Sequence, residues 1–260
     1  MGVPRFASKH DHDEFLSPSR MLEWRRERGM VPDRVPRRLI VLYQDPLFEA
    51  ARHFESVTRL GDAQVYGRAF TLDRTDGEVA VIGGFGIGAP VATAIVEDFI
   101  ALGVCEFLSI GTAGGLQPDL EPGDVVIATS AIRDEGVSHH YAPRDVAAEP
   151  DAALAATLET AIDAAGLPHR RGTCWTIDTP YRETAAEVRH YQAAGVQCVD
   201  MEAAALFTVA AHRGVSIASA FCISDSLWDA EWNPHFDDPT LAHNLLLLFG
   251  AAVEAASPIP

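Results

Sequence analysis

Residues 78–111 read EVAVIGGFGIGAPVATAIVEDFIALGVCEFLSIG. Two apolar, β-branched runs, 78–85 and 104–111, flank a stretch from Gly88 to Leu102 whose apolar residues recur at helical spacing. A strand, a glycine turn, a helix and a second buried strand form a βαβ unit, which lays its two strands parallel in one sheet. The alternation continues in both directions. LIVLY (39–43) reads as a buried strand and the segment from Pro46 to Phe54 as a short helix. QVYGRAFTLDR (64–74) pairs with 78–85 around the Asp76-Gly77 turn. Downstream, 124–134, 173–178 and 216–224 read as strands, and 151–165, 183–194, 201–213 and 239–255 as helices. The expected fold is a single α/β domain over residues 37–260, with a mainly parallel central sheet flanked by helices. Residues 1–36 form an N-terminal arm, in which an amphipathic turn around Phe15, Leu16, Met21, Leu22 and Trp24 is stopped by Pro32 and Pro36.

Composition narrows the chemistry. The 260 residues are 48% hydrophobic and 22% charged, ordinary for a globular core, with a formal net charge of −17. Such a charge argues against nucleic acid or an anionic membrane as partner, because phosphate surfaces are held by cationic patches. No apolar run approaches the roughly 18 residues of a membrane-spanning helix, and the polar opening lacks a signal-peptide core. A cytoplasmic enzyme is expected. Lys9 is the only lysine and lies in the arm, so Schiff-base and P-loop chemistries, which need a lysine at their centre, are excluded. Cys105, Cys174, Cys198 and Cys222 form no CxxC pair and read as reduced, buried thiols. His139-His140, read as neighbours on a strand, point to opposite faces and suit a metal poorly. No metal and no cofactor are expected.

The loop Gly84-Phe85-Gly86-Ile87-Gly88-Ala89 follows a strand and opens a helix, as a loose G-x-G-x-x-G/A pattern requires. A dinucleotide site also needs an acid at the tip of the second strand, and Glu106 lies at the start of its strand instead. The loop reads either as a cradle of free N–H groups for an anion or hydroxyl, or as a turn that needs glycine for its backbone angles.

Three segments taken in order resemble the purine and uridine nucleoside phosphorylase and nucleosidase superfamily. They are GGFGIGAP (83–90), SIGTAGGLQPDLEPGDVVIAT (109–129) and VDMEAAALFTVA (199–210), followed by the strand end ISD (223–225). The resemblance runs from about Leu39 to the last helix. It implies cleavage of the N-glycosidic bond of a nucleoside, through an oxocarbenium-like sugar that must be held rigidly while the base leaves. By the resemblance, Glu202 grips the ribose hydroxyls and Met201 packs on the sugar. Asp225 helps the purine leave by hydrogen bonding or protonating its N7, which tilts the substrate toward purines. Gly86, Gly111 and Thr112 fall in the glycine and phosphate loops. Asp178, Tyr181 and Arg182 fall where the family places its base-contacting loop. Two of these have bland alternatives: VDMEAAAL as a plain helix start with Asp200 near its N-terminus, where the helix dipole favours it, and Asp225 as a cap of the next helix.

The acceptor side departs from the family pattern. Phosphorolysis holds a phosphate dianion, normally with several arginines. One belongs to a G-D-P-x-R loop that here reads Gln44-Asp45-Pro46-Leu47-Phe48, and another stands where Ser109 is found. A third, lent by a neighbouring subunit, matches Arg68. The resemblance therefore implies a homo-oligomer, a dimer or a trimer of dimers, with phosphate as co-substrate and Arg133 or Arg182 available to compensate. Hydrolysis by water activated at Glu49 is the nearest alternative. A non-catalytic nucleoside-binding protein and a dehydrogenase are further ones.

Overall fold

The computed structural model describes every residue except 1, 7, 33, 55, 61–66, 230 and 258–260. Its central feature is one ten-stranded sheet, with the two-residue β10 (Asn233–Pro234) at one edge and the strands, numbered along the chain, in the order β10-β9-β6-β7-β8-β5-β1-β4-β3-β2. The βαβ unit is β4 (Val79–Gly83), α3 (Ala89–Leu102) and β5 (Glu106–Gly115). Between β4 and β5 lies β1 (Arg38–Leu42), parallel to both. The strand β3 (Arg68–Leu72) runs antiparallel to β4; the expected start of that strand, 64–66, lies outside the described residues. A short β2 (Val57–Arg59) closes this edge.

On the other side β5 pairs along its whole length with β9 (Ser216–Ser226). β9 lies antiparallel to β6 (Val125–Asp134), which runs parallel to β7 (His169–Ile177). β7 in turn carries β8 (Cys198–Asp200), and β8 returns to the end of β5 at Gly114 and Gly115. Five strands thus close on themselves, and the ends of β5, β8 and β9 are forced together. The sheet is mixed: its β1–β4, β1–β5, β5–β9 and β6–β7 pairs run parallel, as expected, while the β2–β3, β3–β4, β5–β8, β6–β9 and β9–β10 pairs run antiparallel.

Alternation along the strands supplies two cores. In β1, Leu39 and Val41 face the helices α3 and α6 (Ala203–Arg213), with Phe99 and Phe207. Ile40 and Leu42 face α2 (Asp45–Ala51), α4 (Ala152–Ala164) and α7 (Pro239–Ala256), with Phe48, Leu158 and Leu248. Each such side chain, fully buried, contributes about 1.5–3 kcal/mol relative to exposure. α7 is long and apolar enough to cross a membrane by length and composition, yet Leu241, Leu245, Leu248 and Phe249 pack into this core.

The arm carries a real helix, α1 (Pro18–Arg26), begun by the Ser17 hydroxyl accepting from the Arg20 N–H. Leu22 and Arg25 are its buried residues, and Arg25 pairs with Asp98 of α3 at 3.1 Å. Phe15, Leu16 and Trp24 stay exposed. Lys9 Nζ lies 2.8 Å from His140 Nδ1. His139 and His140 sit in a 3-10 turn, not on a strand.

Candidate active site

The closing of β5, β8 and β9 leaves a cavity of about 630 Å³ at their ends. Close approach demands glycine there: a Cβ on Gly114 would stand 2.5 Å from Leu227 Cδ1 and 3.3 Å from Asp225 Oδ2. β8 delivers Asp200, Met201 and Glu202 to one wall, β9 delivers Ser224 and Asp225 to another, and Thr112 comes from β5.

Glu202 is 6% exposed, and its Oε1 accepts from the Gly88 N–H at 2.5 Å. That donor belongs to the glycine loop, where Gly88 has φ +105° and caps α3. The loop's free N–H thus holds a carboxyl of the chain itself. Burial, then the nearby Asp200 carboxylate, pushes the Glu202 pKa to about 8, so near neutral pH the group carries a proton and can both donate to and accept from a hydroxyl. Asp200 is the brace. It accepts from Thr176 Oγ1 at 2.6 Å and from the N–H groups of Glu202 and Ala203 at 2.9 and 2.6 Å, fixing the start of α6.

Both Asp225 oxygens are engaged. Oδ1 accepts from the Ser224 hydroxyl at 2.7 Å and Oδ2 from Trp232 Nε1 at 3.0 Å. Trp232 and Phe236 are mostly exposed, Tyr181 wholly so, and all three line the cavity as an aromatic rim. Glu183, absent from the sequence-based candidates, lines it too. Burial, then the Asp225 and Glu187 carboxylates, raises its pKa to about 7.

At the opposite end the side chains are neutral. The Tyr43 hydroxyl lies 2.9 Å from Ser109 Oγ, and Gln44 Nε2 donates to Thr112 Oγ1 at 2.9 Å. Gly111 is buried beneath Tyr43, whose ring would stand 3.0 Å from a Cβ there. Phe48 is 1% exposed and packs on Gly83 and Phe70. The places of the two missing arginines are therefore filled, by Phe48 in the core and by a Tyr43–Ser109 pair.

Several expected residues fall outside the lining. Glu49 pairs with Arg68 at 2.7 Å and with Arg52 at 2.9 Å, and the Arg68 hydrogen bond holds its carboxyl below the usual range. A surface carboxylate so paired is a poor base for water, so the structure assigns Glu49 to an ion pair and not to the cavity. Arg68 does not line its own chain's cavity either; its guanidinium stands 5.1 Å from the Phe48 ring centroid. Arg182 is exposed beside Tyr181 and outside the lining. Gly86, at φ +91°, is absent from it as well, although Ile87 lines it. Arg133 donates to the carbonyls of Ala142, Pro143 and Val146 and to Ser138 Oγ, which commits it to the 138–148 loop. Asp178 accepts from the Gly136 N–H instead of facing the cavity. Among the described residues lining the cavity are five acids, Glu183, Asp200, Glu202, Asp225 and Glu231, and no lysine, arginine or histidine.

Residues 38–253 match the phosphorylase superfamily, which takes in every wall of this cavity. The chain belongs to that superfamily. Its relatives include the uridine phosphorylase of Salmonella typhimurium, 33% identical over 164 residues, with 57% of this chain and 65% of that protein covered. The guanosine phosphorylase of Halorubrum lacusprofundi is 35% identical over 150 residues, covering 58% of this chain and 62% of that protein. In both cases the match spans under two thirds of the relative. Among solved structures, a uridine phosphorylase from Vibrio fischeri ES114 superposes with TM-score 0.75 and 24% identity, covering 87% of this chain and 94% of the other. That similarity carries the superfamily's fold, and the expected α/β class with it.

Proposed function

We propose that this superfamily member is a nucleoside phosphorylase, acting on purine ribosides. The observation that carries the reading is the joining of a buried Glu202 and a hydrogen-bonded Asp225 in one aromatic-rimmed cavity. Nucleoside phosphorylases are also what the sequence relatives are named. Glu202 would hold the 2′ and 3′ hydroxyls with Met201 against the sugar face, and the base would stack in the rim beside Trp232 and Phe236. A phosphate oxygen attacks C1′ as the C1′–N bond breaks. The electron pair leaves with the base, which takes up a proton on the N7 side facing Asp225 while hydrogenphosphate gives up its own, and the products are free base and ribose 1-phosphate. Asp225 and Glu183 together offer hydrogen-bonding groups toward the larger purine edge. The relatives named for uridine favour a second reading, a pyrimidine riboside in the same place. Among the described residues no cation of the same chain lines the cavity, so a phosphate dianion would take its positive partner from outside it; Arg68 of a neighbouring copy is the group we assign.

Incubating the enzyme with a panel of nucleosides in phosphate buffer, with chromatography of the bases released, tests the substrate. Guanosine, inosine or adenosine cleaved faster than uridine supports the purine reading; faster uracil release overturns it.

A further inference from the structure

We propose that Trp232 is a positioning residue for the leaving-group step, its indole N–H fixing the Asp225 carboxyl so that an oxygen is aimed at N7 of the departing purine. The inference rests on the purine reading above and names what holds the acid of that reading in place. Two observations carry it. Trp232 is 64% exposed, yet its one polar atom is turned inward, where Nε1 donates to Asp225 Oδ2 at 3.0 Å. A tryptophan placed for packing buries its ring and keeps its polar edge toward water. This one does the reverse.

The second observation is how the chain builds the contact. The β5–β9 pairing shifts register near its end: Ala113 pairs with Ile223 and Gly114 with Asp225, so Ser224 is the extra residue of a bulge. A bulge re-aims side chains, and both Ser224 and Asp225 line the cavity. After Leu227 the chain folds back, and β10 lays Asn233 against Ser226 and Pro234 against Asp225. The His235 N–H donates to the Ser224 carbonyl at 3.0 Å. This return sets Trp232 beside Asp225 at a fixed register. The two donors take different oxygens, the Ser224 hydroxyl at Oδ1 and the indole at Oδ2, so the carboxyl cannot rotate without breaking one of them. A carboxylate oxygen accepts two hydrogen bonds, which leaves Oδ2 a second site for the base.

The test is steady-state kinetics of Trp232→Phe, which keeps a ring at the rim and removes the donor, on guanosine and on 7-methylguanosine in phosphate buffer. In 7-methylguanosine a methyl group occupies N7, so the base leaves with no proton or hydrogen bond there. On guanosine kcat should fall about tenfold, as loss of a hydrogen bond to a carboxylate does. The nucleoside KM should stay within about twofold, because the ring remains. On 7-methylguanosine kcat should stay within about twofold of the parent, since no N7 proton is transferred. In an Asp225→Asn background, Trp232→Phe should cost nothing further on guanosine, as expected of two groups that act as one. Equal losses on both nucleosides overturn the positioning role, and so do losses that multiply with that of Asp225→Asn. A guanosine kcat in Trp232→Phe equal to the parent's overturns it too. Asp225→Asn alone losing less than about tenfold on guanosine overturns the leaving-group reading underneath, an outcome read with Trp232 intact.

Discussion

The two ends of the cavity are built on opposite principles. The sugar-and-base end, from β8, α6 and the tip of β9, concentrates carboxyl groups: Asp200 and Glu202 are buried, accept from backbone N–H groups and are pushed toward neutrality, and Asp225 is held by Ser224 and Trp232. The acceptor end, from β1, α2 and the middle of β5, holds only hydroxyls and an amide, with a phenylalanine where the family pattern has an arginine. The first end has its hydrogen bonds nearly complete before any ligand arrives. The second leaves the Gln44 side-chain oxygen buried without a hydrogen-bond partner. A site can thus keep the part that grips the substrate while rebuilding the part that chooses the attacking group, since the two stand on different strands.

The contrast breaks most visibly at Asp225. General acid assistance is worth about 10²–10⁴-fold, so Asp225→Asn should cut kcat on purine nucleosides by that order. A loss below about tenfold would remove Asp225 from the leaving-group role. Glu202 comes next. A hydrogen bond to a neutral group is worth about 0.5–1.5 kcal/mol, so Glu202→Gln, whose amide replaces the O–H donor, should lower kcat/KM on ribosides by roughly two- to tenfold, and on 2′-deoxyribosides less. Equal losses on both would mean damaged packing rather than a lost sugar contact.

The same variant tests the electrostatics without catalysis. Burial raises the folded Glu202 pKa to about 8, from an ordinary glutamate value of 4.5. The folded chain therefore binds more protons than the unfolded one between those values, and stability falls as pH rises through that window. Glutamine mimics the protonated acid at every pH. Glu202→Gln should accordingly gain thermal stability over the parent at pH 8.5 and show little gain at pH 5, read by melting temperature at the two values. An equal difference at both would deny that this carboxyl is held protonated.

At the acceptor end the first effect falls on phosphate. Arg68→Ala should raise the KM for phosphate about tenfold, as loss of a charge-assisted hydrogen bond does. Mixed with a Glu202 variant, it should regain part of the activity if copies share sites. Glu49→Gln should change turnover least, within about twofold, because an exposed ion pair contributes little. Abolished cleavage in that variant would restore Glu49 as the base for water.

Much of the substrate end was legible in the sequence. VDMEAAA and ISD named Met201, Glu202 and Asp225, and the structure brings them to one cavity with Thr112 and Tyr181. The βαβ unit and the strands β6, β7 and β9 were equally plain, since long apolar runs report burial directly. What escaped depends on tertiary contact. β8 is three residues long and exists only because β5 and β7 offer it partners. Glu183 was read as the first residue of a helix. The capping box of Thr184 and Glu187 starts that helix at Ala185 and leaves Glu183 outside it, facing Asp225. The Thr-x-x-Glu spacing was the available signal. Glu49 and Arg68, read as partners of water and phosphate, were also partners for each other, a pairing that no spacing along the chain reveals.

The most direct test of the account is the fate of the sugar. Guanosine or inosine incubated with the enzyme, with and without phosphate, and followed by phosphorus NMR and sugar chromatography, distinguishes the acceptors. The account predicts cleavage only with phosphate present, yielding one equivalent of ribose 1-phosphate per base released. Free ribose formed at the same rate in both samples would contradict it.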